Sequence, residues 1–142
     1  MKKKKILIVD DELDMRIFLS TLLETSGYKP VMTRDGKEGL QKARNVVPDL
    51  IILDIMMPGE GGVYMYRQLK MDKVLNKVPV IMLSAVAHKT FNHYIKMLNV
   101  RQDSAIPAPE AYMEKPPEAE VLLRIIEDQL ASDTNCSLGE TF

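Results

Sequence analysis

The chain alternates short apolar runs with longer segments in which apolar residues recur at helical spacing. The runs are too short to form helices, and the alternation predicts five units of a strand followed by a helix. Such units build a parallel sheet covered by helices, so the fold class is α/β. The predicted strands are residues 4–9, 28–33, 50–53, 80–83 and 111–114.

Helix boundaries are indicated by caps and breakers. Gly27 is a good terminator of the first helix. Asp35, with Glu38 three residues later, predicts the N-cap and capping-box partner of the second helix, which Pro48 ends. The last helix is predicted from about residue 117 to residue 130. We therefore expect one domain over residues 1–131 and a polar, disordered tail over residues 132–142. Residues predicted to face inward from the second helix are Leu40, Ala43 and Val47.

Four of the predicted strands end on polar residues. In a parallel sheet these residues lie along the carboxyl edge, where open α/β sheets place their sites. Three carboxylates, one hydroxyl and one ammonium would meet there. They belong to Asp10, Asp11, Asp54, Ser84 and Lys115.

This group of side chains suits a metal ion and a phosphoryl group. Clustered carboxylates repel one another without a cation, and Mg²⁺ takes oxygen ligands that include one or two protein carboxylates. A carboxylate can attack phosphorus and form an aspartyl phosphate. Lys115 adds the positive charge that phosphoryl transfer requires, and Ser84 can donate a hydrogen bond to a phosphoryl oxygen. The sequence therefore predicts magnesium-dependent phosphoryl chemistry.

Composition excludes several other classes of protein. The 142 residues, 46% of them hydrophobic, fit one domain with a core. Lysine and arginine total 19 against 20 acidic residues, so no net positive field favours nucleic acid. The single cysteine, Cys136, excludes an internal disulfide and a thiolate zinc cluster, which predicts a cytoplasmic location. No apolar stretch approaches the roughly 18 residues of a membrane span.

Ordered motifs at separate positions resemble the signature of a response-regulator receiver domain. They are Ile6-Leu7-Ile8-Val9-Asp10-Asp11-Glu12, Leu53-Asp54-Ile55-Met56-Met57-Pro58-Gly59 with Gly62, Ser84-Ala85, and Lys115-Pro116. The resemblance covers about residues 4–131. It implies a doubly wound, five-stranded parallel sheet in the order 2-1-3-4-5, a flavodoxin-like three-layer sandwich.

The resemblance also implies roles for the acidic positions. Asp54 matches the phosphoacceptor, and Asp11 matches a direct Mg²⁺ ligand. Asp10 matches a ligand that acts largely through water. The backbone carbonyl of Met56 matches a further ligand.

Three further positions match the parts of the family that respond to phosphate. Ser84 and Lys115 match its hydroxyl and lysine. Tyr112 matches its switch aromatic, which turns inward when the hydroxyl moves toward the phosphoryl group, although half-buried packing explains a tyrosine here as well. The bond between Lys115 and Pro116 resembles the family's cis peptide.

One spacing departs from the family. Ser84 and Lys115 are 31 residues apart, several more than usual, and Ala105-Ile106-Pro107-Ala108-Pro109 replaces the Gly-Ala that precedes the family's last strand. The fourth helix or the loop after it, over segment 99–110, is therefore predicted to be longer than in the family. Receivers signal through the fourth helix, the fifth strand and the fifth helix, so this chain departs from its family on the partner face.

Two functions remain open. In the leading hypothesis the chain is a two-component signalling switch, and a sensor histidine kinase or phosphotransfer protein phosphorylates Asp54. Changes at Ser84 and Tyr112 then alter a face that binds an unidentified downstream protein. In the alternative, segment 99–110 docks a partner independently of phosphorylation. A hydrolase is disfavoured because Met56 replaces the second acid it needs. We expect a monomer or weak homodimer that at most catalyses its own phosphorylation and dephosphorylation, with no nucleic-acid or membrane partner.

Overall fold

Five strands and five helices alternate in the part of the chain that the structure describes. The computed structural model describes residues 2–55, 61–101 and 107–139. A short 3-10 turn, Leu75–Lys77, precedes the fourth strand. The elements are β1 (Lys5–Val9), α1 (Leu13–Thr25), β2 (Lys29–Thr33), α2 (Gly36–Val46), β3 (Leu50–Leu53), α3 (Gly61–Met71), β4 (Val80–Ser84), α4 (His88–Arg101), β5 (Ala111–Glu114) and α5 (Ala119–Gly139).

All five strands form one parallel sheet in the order β2-β1-β3-β4-β5. The predicted doubly wound topology is confirmed. Val9 pairs with Leu53, and Leu53 pairs with Met82. Strands β1 and β3 therefore end side by side, which places the residues that follow them at one edge of the sheet.

Each face of the sheet carries its own apolar core. Because strand side chains alternate between faces, Leu7 and Val9 pack with α2 and α3, whereas Ile6 and Ile8 pack with α1 and α5. All four of these β1 side chains are fully buried. A strand covered on both faces explains the uninterrupted apolar run in the sequence. The helical residues in these cores include Leu19, Leu23, Leu40, Ala43, Met65, Leu69, Phe91, Leu122 and Ile126.

The predicted boundaries of α2 are largely confirmed. Asp35 caps α2, since its Oδ1 accepts the Glu38 N–H at 2.8 Å. The inward position predicted for Val47 is wrong, because this residue is 45% exposed and adopts a left-handed conformation with φ 43°. The proline at position 48 disfavours helical geometry at the residue before it, so Val47 turns out of the helix.

Helix α5 is longer than predicted. It continues to Gly139, where the sequence pattern predicted an end near residue 130 and a disordered tail after it. Residues 131–138 contain no proline or glycine, so polarity alone does not stop the helix there. Residues 140–142 lie outside the described part of the chain. No helix in the described ranges is both long enough and apolar enough to cross a membrane.

Candidate metal and phosphoryl site

Asp10 and Asp54 lie side by side at the carboxyl edge of the sheet. Each continues its strand's hydrogen-bond ladder: the Asp54 N–H donates to Val9 O at 2.9 Å, and the Asp10 N–H donates to Thr33 O at 3.2 Å. Asp10 is only 2% exposed and Asp54 only 3%. The sheet therefore holds two carboxylates in an environment that excludes most water.

Lys115 places a positive charge beside these two carboxylates. Its Nζ lies 2.8 Å from Asp10 Oδ2 and 3.1 Å from Asp54 Oδ2. The side chain is 9% exposed, and the Lys115 backbone N–H donates to Ser84 O at 2.8 Å. This hydrogen bond joins the residue after β5 to the last residue of β4. The pairing of the two strands therefore positions the Lys115 ammonium at the site.

A third carboxylate, that of Glu12, completes the cluster. Glu12 Oε1 lies 2.5 Å from Lys115 Nζ, and carboxylate oxygens of Asp10, Glu12 and Asp54 all lie within 4.8 Å of one another. Three oxygen ligands at this spacing can hold a metal ion. The sequence motifs predict no role for Glu12, although it directly follows the two aspartates in the sequence.

Burial and charge act in opposite directions on the ionisation of this cluster. Desolvation raises the pKa of Asp10, although Lys115 and the Glu12 N–H, which donates to Asp10 Oδ1 at 2.9 Å, both oppose the rise. Burial alone would lower the pKa of Lys115, but the hydrogen bonds to Asp10 and Glu12 raise it above its ordinary value. Lys115 is therefore charged at neutral pH and stabilises the carboxylates around it.

Gly62 lets α3 begin against the strand that carries Asp54. A Cβ at Gly62 would lie 2.2 Å from the Asp54 carbonyl oxygen and 2.5 Å from Ile55 Cα. No side chain fits at that distance. The glycine in the motif therefore serves close backbone approach beside the phosphoacceptor candidate.

Ser84 and Tyr112 are joined through one backbone segment. Ser84 is fully buried, and its Oγ accepts the Val86 N–H at 3.2 Å. The Tyr112 hydroxyl donates to the Val86 carbonyl. The Tyr112 ring stacks on His88 and on Phe91, with both centroid distances at 5.0 Å. Burial raises the pKa of Tyr112, while its hydrogen bond with Ser84 acts against the rise.

The predicted site residues fall into three groups. Asp10, Asp54 and Lys115 make direct contact, and Ser84 ends the neighbouring strand. Asp11 is exposed and lies outside the cluster of three carboxylates. Met56, the predicted carbonyl ligand, lies outside the described residues.

Fold and site together define a doubly wound α/β protein with an acidic cluster and one lysine at the carboxyl edge of its sheet. The family model described as response regulator receiver domain matches residues 6–127. The chain therefore belongs to the response regulator receiver domain family, as the sequence motifs predicted.

Individual relatives agree with this assignment. The polar-differentiation response regulator DivK of Brucella ovis is 38% identical over 116 residues, which are 82% of this chain and 86% of DivK. The chemotaxis protein CheY4 of Vibrio cholerae has a TM-score of 0.77 at 28% identity, over 89% of this chain and 98% of that one. A CheY-like receiver domain protein of Methanospirillum hungatei also has a TM-score of 0.77, at 27% identity over 94% and 98% of the two chains.

Proposed function

We propose that this chain is a phosphoacceptor switch in two-component signalling. A sensor histidine kinase or phosphotransfer protein donates a phosphoryl group to Asp54, and the modified domain then binds a downstream protein. The observation that carries the proposal is Lys115 Nζ, which lies 3.1 Å from Asp54 and 2.8 Å from Asp10 at the carboxyl edge of the sheet. An ammonium in this position can neutralise charge on a phosphoryl group attached to Asp54.

The carboxylates fit Mg²⁺ as the cofactor. Asp10, Glu12 and Asp54 supply hard oxygen ligands, and solvent reaches the cluster through Glu12, whose side chain is 59% exposed. When bound, Mg²⁺ would neutralise oxygens of the donor phosphate. Asp11 and the Met56 carbonyl remain predicted ligands on the strength of the family motif alone.

In the proposed transfer, a carboxylate oxygen of Asp54 attacks phosphorus. The phosphorus–nitrogen bond of the donor's phosphohistidine breaks, and its electron pair leaves on the imidazole. Lys115 balances the charge of the equatorial oxygens. Ser84 turns its hydroxyl toward the new phosphoryl group, and the chain through Val86 passes this change to Tyr112.

The exposed apolar side of α1 is the proposed docking site for the phosphodonor. Leu13 is 61% exposed, Ile17 53% and Phe18 38%. Helix α1 starts at Leu13, directly after Glu12, so this surface adjoins the cluster. Apolar side chains left in solvent beside a reactive site suit a partner that must bring its phosphohistidine close to Asp54.

Phosphorylation-independent docking through segment 99–110 is the alternative function. The intact contacts of Lys115 favour the phosphoacceptor, because a module that only docks a partner has no need for a buried ammonium among three carboxylates. Equal binding of a partner to the wild type and to Asp54→Ala would support the alternative instead.

Mass spectrometry with acetyl phosphate tests the proposal. We expect a magnesium-dependent gain of one phosphoryl group in the wild type and none in Asp54→Asn. Asp49→Asn is the matched control, since Asp49 precedes β3 at its opposite end and accepts the Lys5 N–H at 2.8 Å. This control should be labelled normally. Labelling that survives in Asp54→Asn, or that needs no Mg²⁺ in the wild type, would refute the proposal.

A further inference from the structure

Strand β5 is short, and its side chains are only partly buried. It has four residues and pairs only with β4, and its three apolar side chains contact the two cores without being fully buried. A strand that buries neither face completely specifies its register less strongly than a buried one. A slip of one residue would nevertheless move Lys115 by about 3.3 Å, enough to take its ammonium away from the carboxylates.

Glu110, the residue before β5, engages both backbone groups of Val80 at the start of β4. Its N–H donates to Val80 O at 3.1 Å, and its Oε2 accepts the Val80 N–H at 2.8 Å. Only one alignment of the two strands satisfies both hydrogen bonds. The pair Ile81 with Ala111 follows directly from it.

Helix α3 also contacts the residues that precede β5. Lys70 Nζ lies 3.2 Å from Glu110 Oε1, and the Tyr66 hydroxyl donates to Pro107 O at 2.8 Å. Tyr66 and Lys70 are one helical turn apart, and the ammonium lies 5.4 Å from the tyrosine ring centroid. Tyr66 is fully buried, and burial together with the Glu110 carboxylate raises its pKa. Residues 107 and 110 therefore both interact with side chains on one face of α3.

We propose that Glu110 is a positioning residue that sets the register of β5 and so delivers Lys115 to the phosphoryl site. The inference rests on the proposed function and adds to it a residue at the opposite end of the strand from the chemistry. The long connection between Ser84 and Lys115 gives such a device a use, because a longer connection constrains the strand after it somewhat less. Glu110 replaces that lost constraint with a carboxylate held by β4 and α3.

Hydrogen exchange in magnesium-free buffer tests the register directly. The readout is the Lys115 amide, which donates to Ser84 O at the far end of β5. Glu110→Ala removes the carboxylate, whereas Glu110→Gln keeps an acceptor for Val80 and loses only the charge. Asp72→Ala is the matched control, because Asp72 also accepts backbone N–H groups, those of Val74 and Leu75, beside a basic partner.

We expect Lys115 exchange to rise about tenfold in Glu110→Ala, less in Glu110→Gln, and not at all in Asp72→Ala. The apparent affinity for beryllofluoride with Mg²⁺ should fall in the same order, by roughly fivefold in Glu110→Ala, as fewer molecules hold Lys115 in place. Unchanged Lys115 exchange in Glu110→Ala, or an equal rise in Asp72→Ala, would overturn the inference. A wild type that binds no beryllofluoride would count against the proposed function, and exchange would still decide the role of Glu110.

Discussion

Replacing Lys115 with methionine tests whether its ammonium is what allows the acidic cluster to be buried. Methionine keeps most of the apolar stem but removes the charge. Asp10 and Asp54, at 2% and 3% exposed, then face each other without their cation. Glu12 loses a contact too, but its 59% exposed side chain is solvated by water and adds little.

The structure bounds the cost of this substitution. Removing one partner of a buried ion pair typically costs about 3–5 kcal/mol. Protonation of Asp10 would remove the repulsion between the two carboxylates, and at pH 7 it costs about 4 kcal/mol for a carboxyl with an ordinary pKa of 3.8. Burial already raises the pKa of Asp10, so protonation costs less than that here. We therefore expect a loss of about 3 kcal/mol in the free energy of unfolding without Mg²⁺.

Urea unfolding at pH 7, with chelator and then with saturating Mg²⁺, measures this loss. Magnesium should restore most of it, because the ion replaces the missing charge and no longer competes with Lys115 for Asp10 and Asp54. Arg44→Met is the control: Arg44 pairs with Asp72, away from both the cluster and β5. Its cost should not depend on Mg²⁺. The reasoning fails if Lys115→Met is as stable as wild type in chelator, or if Mg²⁺ stabilises both equally.

Three further outcomes are expected. Glu12→Gln should weaken Mg²⁺ binding about fivefold, because one exposed negative charge near the dication is lost. Calorimetry measures this affinity, and an unchanged value would show that Glu12 is not part of the metal site. Ile17→Ser should slow phosphotransfer from the kinase about tenfold without altering labelling by acetyl phosphate; equal loss with both donors would contradict docking on α1. The raised pKa of Tyr66 means that its contribution to stability is complete below about pH 10 and is lost as pH rises further. Tyr66→Phe should therefore show a shallower alkaline decline in urea unfolding than wild type, and an identical slope would count against a buried, neutral phenol.

The fold was predictable because β1, β3 and β4 are buried on both faces and therefore appear in the sequence as uninterrupted apolar runs. The meeting of Asp10, Asp54 and Lys115 followed from parallel topology, since each comes directly after a strand. Turns and helix ends were harder to predict. Val47 looked like a core residue from its spacing, but the proline after it overrode that pattern.

Side-chain pairing could not be predicted in the same way. Glu12 contacts Lys115 across 103 positions of sequence, and Glu110 contacts Lys70 across 40. No local propensity links such residues, because the contact exists only after the sheet has set their positions. Pairing of this kind depends on the register of β5, whose side chains are only partly buried and therefore specify it less strongly than those of the inner strands do.

The charge balance of the cluster connects these pairings to the proposed chemistry. Three carboxylates against one ammonium leave an excess of two negative charges among the clustered residues. A divalent cation neutralises that excess, whereas a monovalent ion does not. In the proposed function, phosphorylation of Asp54 would then add negative charge again. Among the described side chains of the site, Lys115 and Ser84 can donate hydrogen bonds to that phosphoryl group. The charge imbalance that favours Mg²⁺ before phosphorylation would therefore draw these two donors toward the phosphoryl group afterwards.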